Sequence, residues 1–511
     1  MKALTNLVWL WLSYTTSSHA KPTHYNMTLP NLRTILTSSD VHWSSNTIIA
    51  FPDSYEFTNA TERREAANEP TFGASITPAN EHDVAAAVKL AVQNNIPFLA
   101  TGGRHGGGLG YGKMQGGLAI DLSNFKSFKA DTDASTVTIG GAASIGEFHN
   151  ELYESGLMLP SGSCACPGYA GLAVGGGIGR YSGSLGLVTD RLIAARVVTS
   201  RGEIINVSET ENADLFWGLR GAGANFGIIT SATYKAARAA EHANGYALTV
   251  DLHFGPNATA AYFKHLESIA DDLPGNVGGL HLTSYNFTND RAEMFVNWVW
   301  FGQEQEGRAF IDQFMAFGPY RVENYDYIPW NQIMSMAGNG LGENELCIPE
   351  VYANTYASNL KQFSASTFQA TFDKLQQFYI DYPEGRASGS NLEILPNQAV
   401  AAMPEDFDAY PWRDTKGFFT VSASFLDTES LSNQTLLDAG DRLGRELRDS
   451  WTKTGGYAKE GGTIYVNYAH GDESIERVYG VNKLPRLAAL KKKWDPRNVF
   501  RFNNPLPTSY P

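Results

Sequence analysis

Cysteine is scarce in this chain. Cys164, Cys166 and Cys347 are the three among 511 residues, too few for a disulfide framework in a protein of this size. The odd count leaves at least one sulfur outside any internal bridge. Neither His-Glu-x-x-His nor Cys-x-x-Cys occurs, which removes the usual zinc sites, and no metal is expected. Basic charge is also short: 39 Lys and Arg face 53 Asp and Glu, a formal net charge of −14. A phosphate-backbone binder needs a basic face, so nucleic acid is excluded as a partner. No apolar run has the length of a membrane span, and no membrane partner is expected. No period of 20 to 50 residues repeats, so solenoids and propellers are excluded. A 43% hydrophobic composition excludes a disordered chain, and at roughly 150 residues per domain the length suggests about three folding units.

What is present begins at the N-terminus. Lys2 precedes an apolar stretch containing Leu7, Val8, Trp9, Leu10, Trp11 and Leu12, and Ser18-His19-Ala20 offers a small-residue cleavage site. Residues 1–20 therefore read as a signal peptide. Acceptor sequons at Asn26, Asn59, Asn206, Asn257, Asn286 and Asn433 agree with a secreted, N-glycosylated protein. An exported chain with so little cysteine must draw its stability from its core, which a long chain can do.

Glycine is in excess, with 50 residues against about 7% in an average protein, many of them between Thr101 and Gly227. In the same region Val84, Ala87, Val88, Ala91 and Val92 recur at helical spacing behind Asn80, a natural cap. Short strands follow at 96–100, 118–122 and 137–139, a helix at 145–153, a hairpin at 197–205 and a helix at 212–219. These elements lack a clean βαβ rhythm, so the fold class is α+β. From about 241 the glycine clusters stop and aromatic residues take over. Residues 241–460 read as a second unit, largely sheet with helices such as 366–379. A last segment, 461–511, ends in Lys491-Lys492-Lys493, which reads as a solvated helix face.

Several signatures nearly appear. Gly107 to Lys113 fits a P-loop until Met114 takes the place of the Ser or Thr that would hold magnesium. Gly221-Ala222-Gly223 opens a dinucleotide fingerprint, but Phe226 stands where the third glycine belongs. Ser182-Gly183-Ser184-Leu185-Gly186 lacks the first glycine of a nucleophile elbow. Two loops remain. Thr101-Gly102-Gly103-Arg104-His105-Gly106-Gly107-Gly108 sets one histidine among almost no side-chain bulk. The second runs from Ser161 through Cys164, Cys166, Gly168 and Gly171 to Gly175-Gly176-Gly177. Glycines let backbone N–H groups approach an anion such as a pyrophosphate. His105 and Cys164 each place a nucleophile at the edge of that cradle, which points to a covalently held cofactor.

With these loops stand Pro78 to Val84, Gly186-Leu187-Val188-Thr189-Asp190, Asp214 to Gly221, Asn225-Phe226-Gly227-Ile228, Tyr465-Val466-Asn467-Tyr468, Tyr479-Gly480 and Asp495 to Phe500. In this order they resemble the berberine bridge enzyme-like flavoproteins, within the p-cresol methylhydroxylase/vanillyl-alcohol oxidase (PCMH-type) superfamily, and the fungal secreted members in particular. The resemblance implies a two-lobed FAD-binding domain over 21–240. An interposed substrate domain, an antiparallel sheet covered by helices, spans 241–460, and 461–511 returns to the flavin domain. It implies FAD bonded through its 8α carbon to His105. A second bond, from flavin C6 to Cys164, is implied by the position of Cys164 eleven residues before Gly175, with Cys166 as a nearby rival. Arg104 stands where the family usually has the second glycine of Gly-Gly-His. Gly102, Gly103, Gly106, Gly168, Gly171, Gly175 to Gly177, Gly227, Ile228 and Asn467 join the cofactor-binding set.

The same resemblance implies a secreted oxidoreductase that removes a hydride from a small alcohol, amine or secondary-metabolite intermediate while a base takes a proton. Candidate bases are Tyr465, Tyr468, Glu405 (eight residues before Arg413) and Asp427. Ile178 replaces the tyrosine that plant members carry after the triple glycine. Pro167 stands three residues after Cys164, where relatives control oxygen access. Dioxygen as acceptor, giving hydrogen peroxide, is the leading expectation. The alternatives are a carbohydrate oxidase, a dehydrogenase with another acceptor, and a flavin-bearing binding protein with little turnover.

Overall fold

Asn80 caps as its position suggests. Its Oδ1 accepts from the N–H groups of His82 and Asp83 and starts the helix Glu81–Gln93. The computed structural model describes residues 31–511 except 345, 349–351 and 428. The signal-peptide reading of 1–20 and the Asn26 sequon lie outside the described residues.

The stripe Val84, Ala87, Val88 and Ala91 is fully buried against a four-stranded sheet made of β1 (Ile48–Ala50), β2 (Phe72–Thr77), β3 (Phe98–Thr101) and β4 (Gly117–Asp121). Its order is β1-β2-β4-β3, and β2, β4 and β3 run parallel. One βαβ crossover therefore exists inside the α+β fold, disguised in sequence because β4 inserts between its two strands. A second sheet holds β5 (Phe128–Asp131), β6 (Thr136–Gly140), β8 (Leu192–Thr199), β9 (Ile204–Ser208) and β10 (Gly227–Lys235) in the antiparallel order β5-β6-β10-β8-β9. The β8–β9 hairpin pairs Val198 with Ile204 around the turn read from the sequence. A two-residue pair, β7 (Leu157–Met158) and β11 (Ala237–Arg238), closes this lobe.

The third sheet has seven strands, all antiparallel: β12 (Tyr246–Phe254), β13 (Val277–Asn286), β14 (Arg291–Trp300), β15 (Arg321–Pro329), β16 (Asn354–Leu360), β17 (Gly389–Ile394) and β18 (Gly417–Ala423). Their order is β15-β12-β14-β13-β17-β18-β16. Period-2 alternation gives it two different faces. Met294, Val296, Trp298 and Trp300 of β14 enter a core shared with the helices Pro256–Ile269, Glu304–Met315, Ala365–Asp381 and Gln434–Thr454. Val299 instead joins the core of the five-stranded lobe, together with Trp330, Ile333 and Ala337. The uncovered face thus turns toward the glycine loops.

The C-terminal segment returns to the first unit: Ile464, Val466, Tyr479, Leu487 and Trp494 all lie in that lobe's core. Here one expectation needs correction. Lys492 and Lys493 are exposed, but Lys491 is fully buried. Its ammonium donates to Asp495 Oδ2 at 2.7 Å and to the carbonyls of Asn225 and Phe500, each at 2.9 Å. Three donors meet three acceptors, so the charge is tolerated in the interior.

Candidate active site

Three elements converge: the loop after β3, the cysteine loop before the triple glycine, and the uncovered face of the seven-stranded sheet. The first two touch through backbone. A Cβ on Gly103 would lie 2.2 Å from the Gly168 nitrogen and 2.8 Å from the Cys166 carbonyl, so this contact requires glycine. Arg104 follows with φ of +52°, a left-handed position that costs a non-glycine residue about 1 kcal/mol. Its guanidinium donates to the Asn59 carbonyl, and Arg63 Nη2 donates to the Gly106 carbonyl at 2.8 Å. These tethers hold His105 where burial, with the Arg64 charge next in weight, pulls its imidazole down to about 4. At neutral pH the ring is unprotonated and nucleophilic.

Cys164 Sγ lies 3.9 Å from His105 Nε2. Cys166 is bonded to Cys347, while Cys164 is free. The rival for the flavin C6 position is thereby occupied, and Cys164 is left as the available thiol. The bridge also removes the metal reading of His105, Cys164 and Cys166, whose ligand atoms lie within 4.8 Å of one another, because a disulfide sulfur is no thiolate. The Leu346 carbonyl enters the same cluster, 3.2 Å from His105 Nε2 and 3.5 Å from Cys166 Sγ. It also accepts from Arg64 Nε, and Arg64 in turn pairs with Glu65. Burial pushes that glutamate up to about 7.

Gly168 precedes the short helix Tyr169–Val174, Gly171 faces open space, and Gly175 ends the helix. Gly176 and Gly177 both have positive φ. The Gly177 N–H donates to Tyr465 Oη at 3.0 Å, and Asn467 Nδ2 donates to the same oxygen at 2.8 Å. Tyr465 is buried, and burial pushes its phenol up to about 12. Two donors already occupy its oxygen, so Tyr465 positions the glycine turn. Gly227 opens β10, and Ile228 is buried in the core behind the four-stranded sheet.

The sheet supplies what the loops lack. Register places Asp251, Asn297, Leu280, Glu393, Phe418 and Asn359 in one row across β12, β14, β13, β17, β18 and β16. Asp251 accepts from Asn297, Asn324, Gly338 and Asn339, pinning the turn whose continuation carries Leu346 to His105. Glu393 accepts from Tyr468 Oη at 3.0 Å. Burial pushes the carboxyl up to about 7, opposed by the Tyr468 hydrogen bond and by the nearby Arg180 charge. Burial and the Glu393 charge drive the Tyr468 phenol well above its usual range, and the Cys164 thiol also acts on it. Tyr468 and Glu393 therefore lie within electrostatic reach of the cysteine loop.

Of the expected bases, only Tyr468 is joined to a carboxylate at this site. Glu405 is exposed, and its backbone carbonyl accepts from Lys483. Arg413, which suggested it, pairs instead with Asp190 at 2.8 Å and Asp408 at 2.7 Å. Asp427 is exposed and accepts from the Ser430 N–H and hydroxyl at 2.7 and 2.8 Å, closing a local turn. Neither carboxylate belongs to the cluster. Glu393 was missed, although a lone carboxylate inside Leu392-Glu393-Ile394-Leu395 is a visible signal. Arg64, Glu65 and Leu346 carried no comparable mark.

A flavin fits this donor set. Two nucleophiles 3.9 Å apart suit the 8α carbon and C6, which share one edge of the ring, and two backbone loops in contact form the cradle. Residues 73–208 match the FAD binding domain family, and residues 464–507 match the berberine and berberine-like family. The FAD-linked oxidoreductase fogF of Aspergillus ruber is 46% identical over 481 residues, covering 94% of this chain and 95% of its own. Among solved structures, Physcomitrella patens BBE-like 1 superposes with a TM-score of 0.77 at 21% identity, over 91% of this chain and 98% of its own. Acremonium strictum glucooligosaccharide oxidase does so with 0.77 at 24%, over 91% and 97%. The fold is thus that of the PCMH-type flavoenzymes. The chain belongs to the FAD-linked oxidoreductases of the berberine bridge enzyme-like family.

Proposed function

We propose that this enzyme oxidises a small-molecule alcohol to the carbonyl compound and passes the electrons to dioxygen, giving hydrogen peroxide. The observation that carries the reading is the Tyr468–Glu393 hydrogen bond of 3.0 Å on the sheet face turned toward His105 and Cys164. FAD, when bound, supplies the hydride acceptor. The substrate O–H proton passes to Tyr468 Oη as the tyrosine's own proton moves to Glu393. A carboxyl held at about 7 takes up that proton near neutral pH.

We assign the flavin tethers to His105 and Cys164. Support comes from the neutral imidazole, from the free thiol beside it, and from a glucooligosaccharide oxidase of the same fold described with a 6-S-cysteinyl, 8α-N1-histidyl FAD. Burial raises the Cys164 thiol, so the thiolate forms only when a proton acceptor takes its hydrogen. Secretion with N-glycosylation is part of the proposal, supported by the leader-like N-terminus and by the exposure of Asn59, Asn206, Asn257 and Asn433.

Acid precipitation of the purified protein, followed by peptide mapping, tests the tethers. Yellow peptides containing His105 and Cys164 are expected; colourless protein with all flavin in the supernatant overturns the assignment. A screen of aromatic, aliphatic and sugar alcohols, read by peroxide and by dye reduction, tests the reaction. Dye reduction without peroxide would replace dioxygen with another acceptor. A mass decrease on glycosidase treatment of the protein from culture medium tests export.

A further inference from the structure

Arg180, three residues after the triple glycine, is 5% exposed. No hydrogen bond satisfies its Nε or Nη1 among the described residues. A buried guanidinium without partners is costly, and most such groups are matched by an acceptor. Asp251 and Glu393 attract it electrostatically, yet neither pairs with it: Asp251 is taken up by four other donors and Glu393 by Tyr468. The fold makes room for this arrangement. A Cβ on Gly278 of β13 would fall 2.8 Å from Arg180 Cβ, so the arginine crosses the sheet over a glycine.

Arg180 lines a cavity between the sheet and the cysteine loop, with about 610 Å³ of space between atoms, part of it open to solvent. Its walls are mainly apolar, with Leu280, Phe295, Phe301 and Met334 among them. Asn297 also faces the cavity, and its Oδ1 is buried without a donor. The Asn297 amide orientation is set by Nδ2, which donates to Asp251 Oδ1 at 2.7 Å. The two polar residues Arg180 and Asn297 thus stand in the cavity wall with two donor nitrogens and one acceptor oxygen unmatched among the described residues, beside a largely hydrocarbon lining. A sugar would bring many hydroxyls to walls with few partners for them. Glu393 of β17 pairs with Leu280, two residues along β13 from Gly278, so the backbones of Gly278 and Glu393 lie about 8 Å apart by strand geometry.

We propose that Arg180 binds an acidic oxygen, carboxylate or phenolate, of an aromatic substrate and thereby aims the oxidisable group at Tyr468 and Glu393. Asn297 Oδ1 accepts a hydroxyl of the same molecule. This inference rests on the reading of the site as an alcohol-oxidising one, but its test does not need turnover.

Isothermal titration calorimetry of the protein as purified compares benzoate, its neutral isostere benzamide, and 4-nitrophenolate. Wild type is expected to bind at least one anion about 10-fold or more tighter than benzamide; which anion wins separates carboxylate from phenolate. Arg180→Gln should abolish that preference while leaving benzamide binding and flavin content unchanged, and Arg180→Lys should restore part of it. Equal affinities for the three probes in wild type would overturn the proposal. So would an anion preference that survives Arg180→Gln, or loss of flavin with the preference intact, which would assign Arg180 to the cofactor. Should Arg180→Gln fail to fold, the wild-type ratio and the Arg180→Lys variant carry the same decision. Colourless protein that still prefers the anion would defeat the flavin reading alone.

Discussion

Replacing Glu393 by Gln separates its chemical role from its structural one. The residue is 9% exposed and its carboxyl is pushed from an ordinary 4.5 up to about 7 by burial, so the folded protein favours the protonated form. The sign follows from linkage. Stability is greatest below the unfolded-state value and falls as pH climbs through the window from about 4.5 to about 7. With 1.36 kcal/mol per pH unit, the loss at pH 8 is about 3 kcal/mol. Glutamine keeps the shape and accepts the Tyr468 hydrogen bond without the charge. Urea denaturation at pH 5 and pH 8 is the assay, as the difference between wild type and Glu393→Gln. Relative to wild type, the variant should gain about 2–3 kcal/mol in stability between pH 5 and pH 8. Other raised groups, Glu65 and Asp408, cancel in that difference. Flavin reduction should behave oppositely, with the variant slowed about 10²- to 10⁴-fold at pH 8 and the wild-type rise near pH 7 lost. A variant whose stability difference from wild type is the same at both pH values would refute the buried-carboxylate argument. A retained rise in reduction rate through pH 7 would refute the role in proton transfer.

Tyr468→Phe should slow flavin reduction by about 10² or more while flavin stays bound. Tyr465→Phe should chiefly weaken cofactor retention, because it removes the acceptor for Gly177 N–H and Asn467; equal kinetic defects in the two variants would contradict the division of roles. His105→Ala should release flavin on denaturation unless the Cys164 bond holds it, and the double variant with Cys164→Ala should release all of it, read from the spectrum of the supernatant. Lys491→Met should lower denaturation stability by about 3 kcal/mol by stranding Asp495. That is the lower end of such effects, since Asp495 still accepts from the N–H groups of Val499 and Phe500; an unchanged midpoint would show the ion pair to be dispensable.

Local signals proved readable because they are local. The cap at Asn80, the stripe behind it, the hairpin at 197–205 and the two glycine loops all depend on residues within a few positions of one another. Glu405 and Asp427 illustrate the opposite case. Glu405 rests on an offset along the chain from Arg413 and Asp427 on its residue type alone, whereas the carboxylate beside Tyr468 is fixed by strand register, a property of pairing between segments far apart in sequence. Lys491 was misread for a similar reason. A lysine run looks solvated until Asp495, the nearby Phe500 carbonyl and the carbonyl of Asn225, 266 residues away in sequence, enclose one of its members. Arg180 could not be distinguished from an ordinary surface arginine, since its isolation depends on Gly278 nearly a hundred residues later.

The chain also emerges from the ribosome in a fixed order. Both proposed flavin tethers, His105 and Cys164, lie in the first third, while Glu393 and Tyr468 come late, and Tyr468 trails Cys164 by about 300 residues. At roughly 5–20 residues per second, about 15–60 s of synthesis separate them. A chain stopped before residue 468 would hold His105 and Cys164 but leave Glu393 without its tyrosine. Early arrest thus yields a product with the proposed attachment residues but without the Tyr468–Glu393 pair, which is completed only when the last tenth of the protein is made.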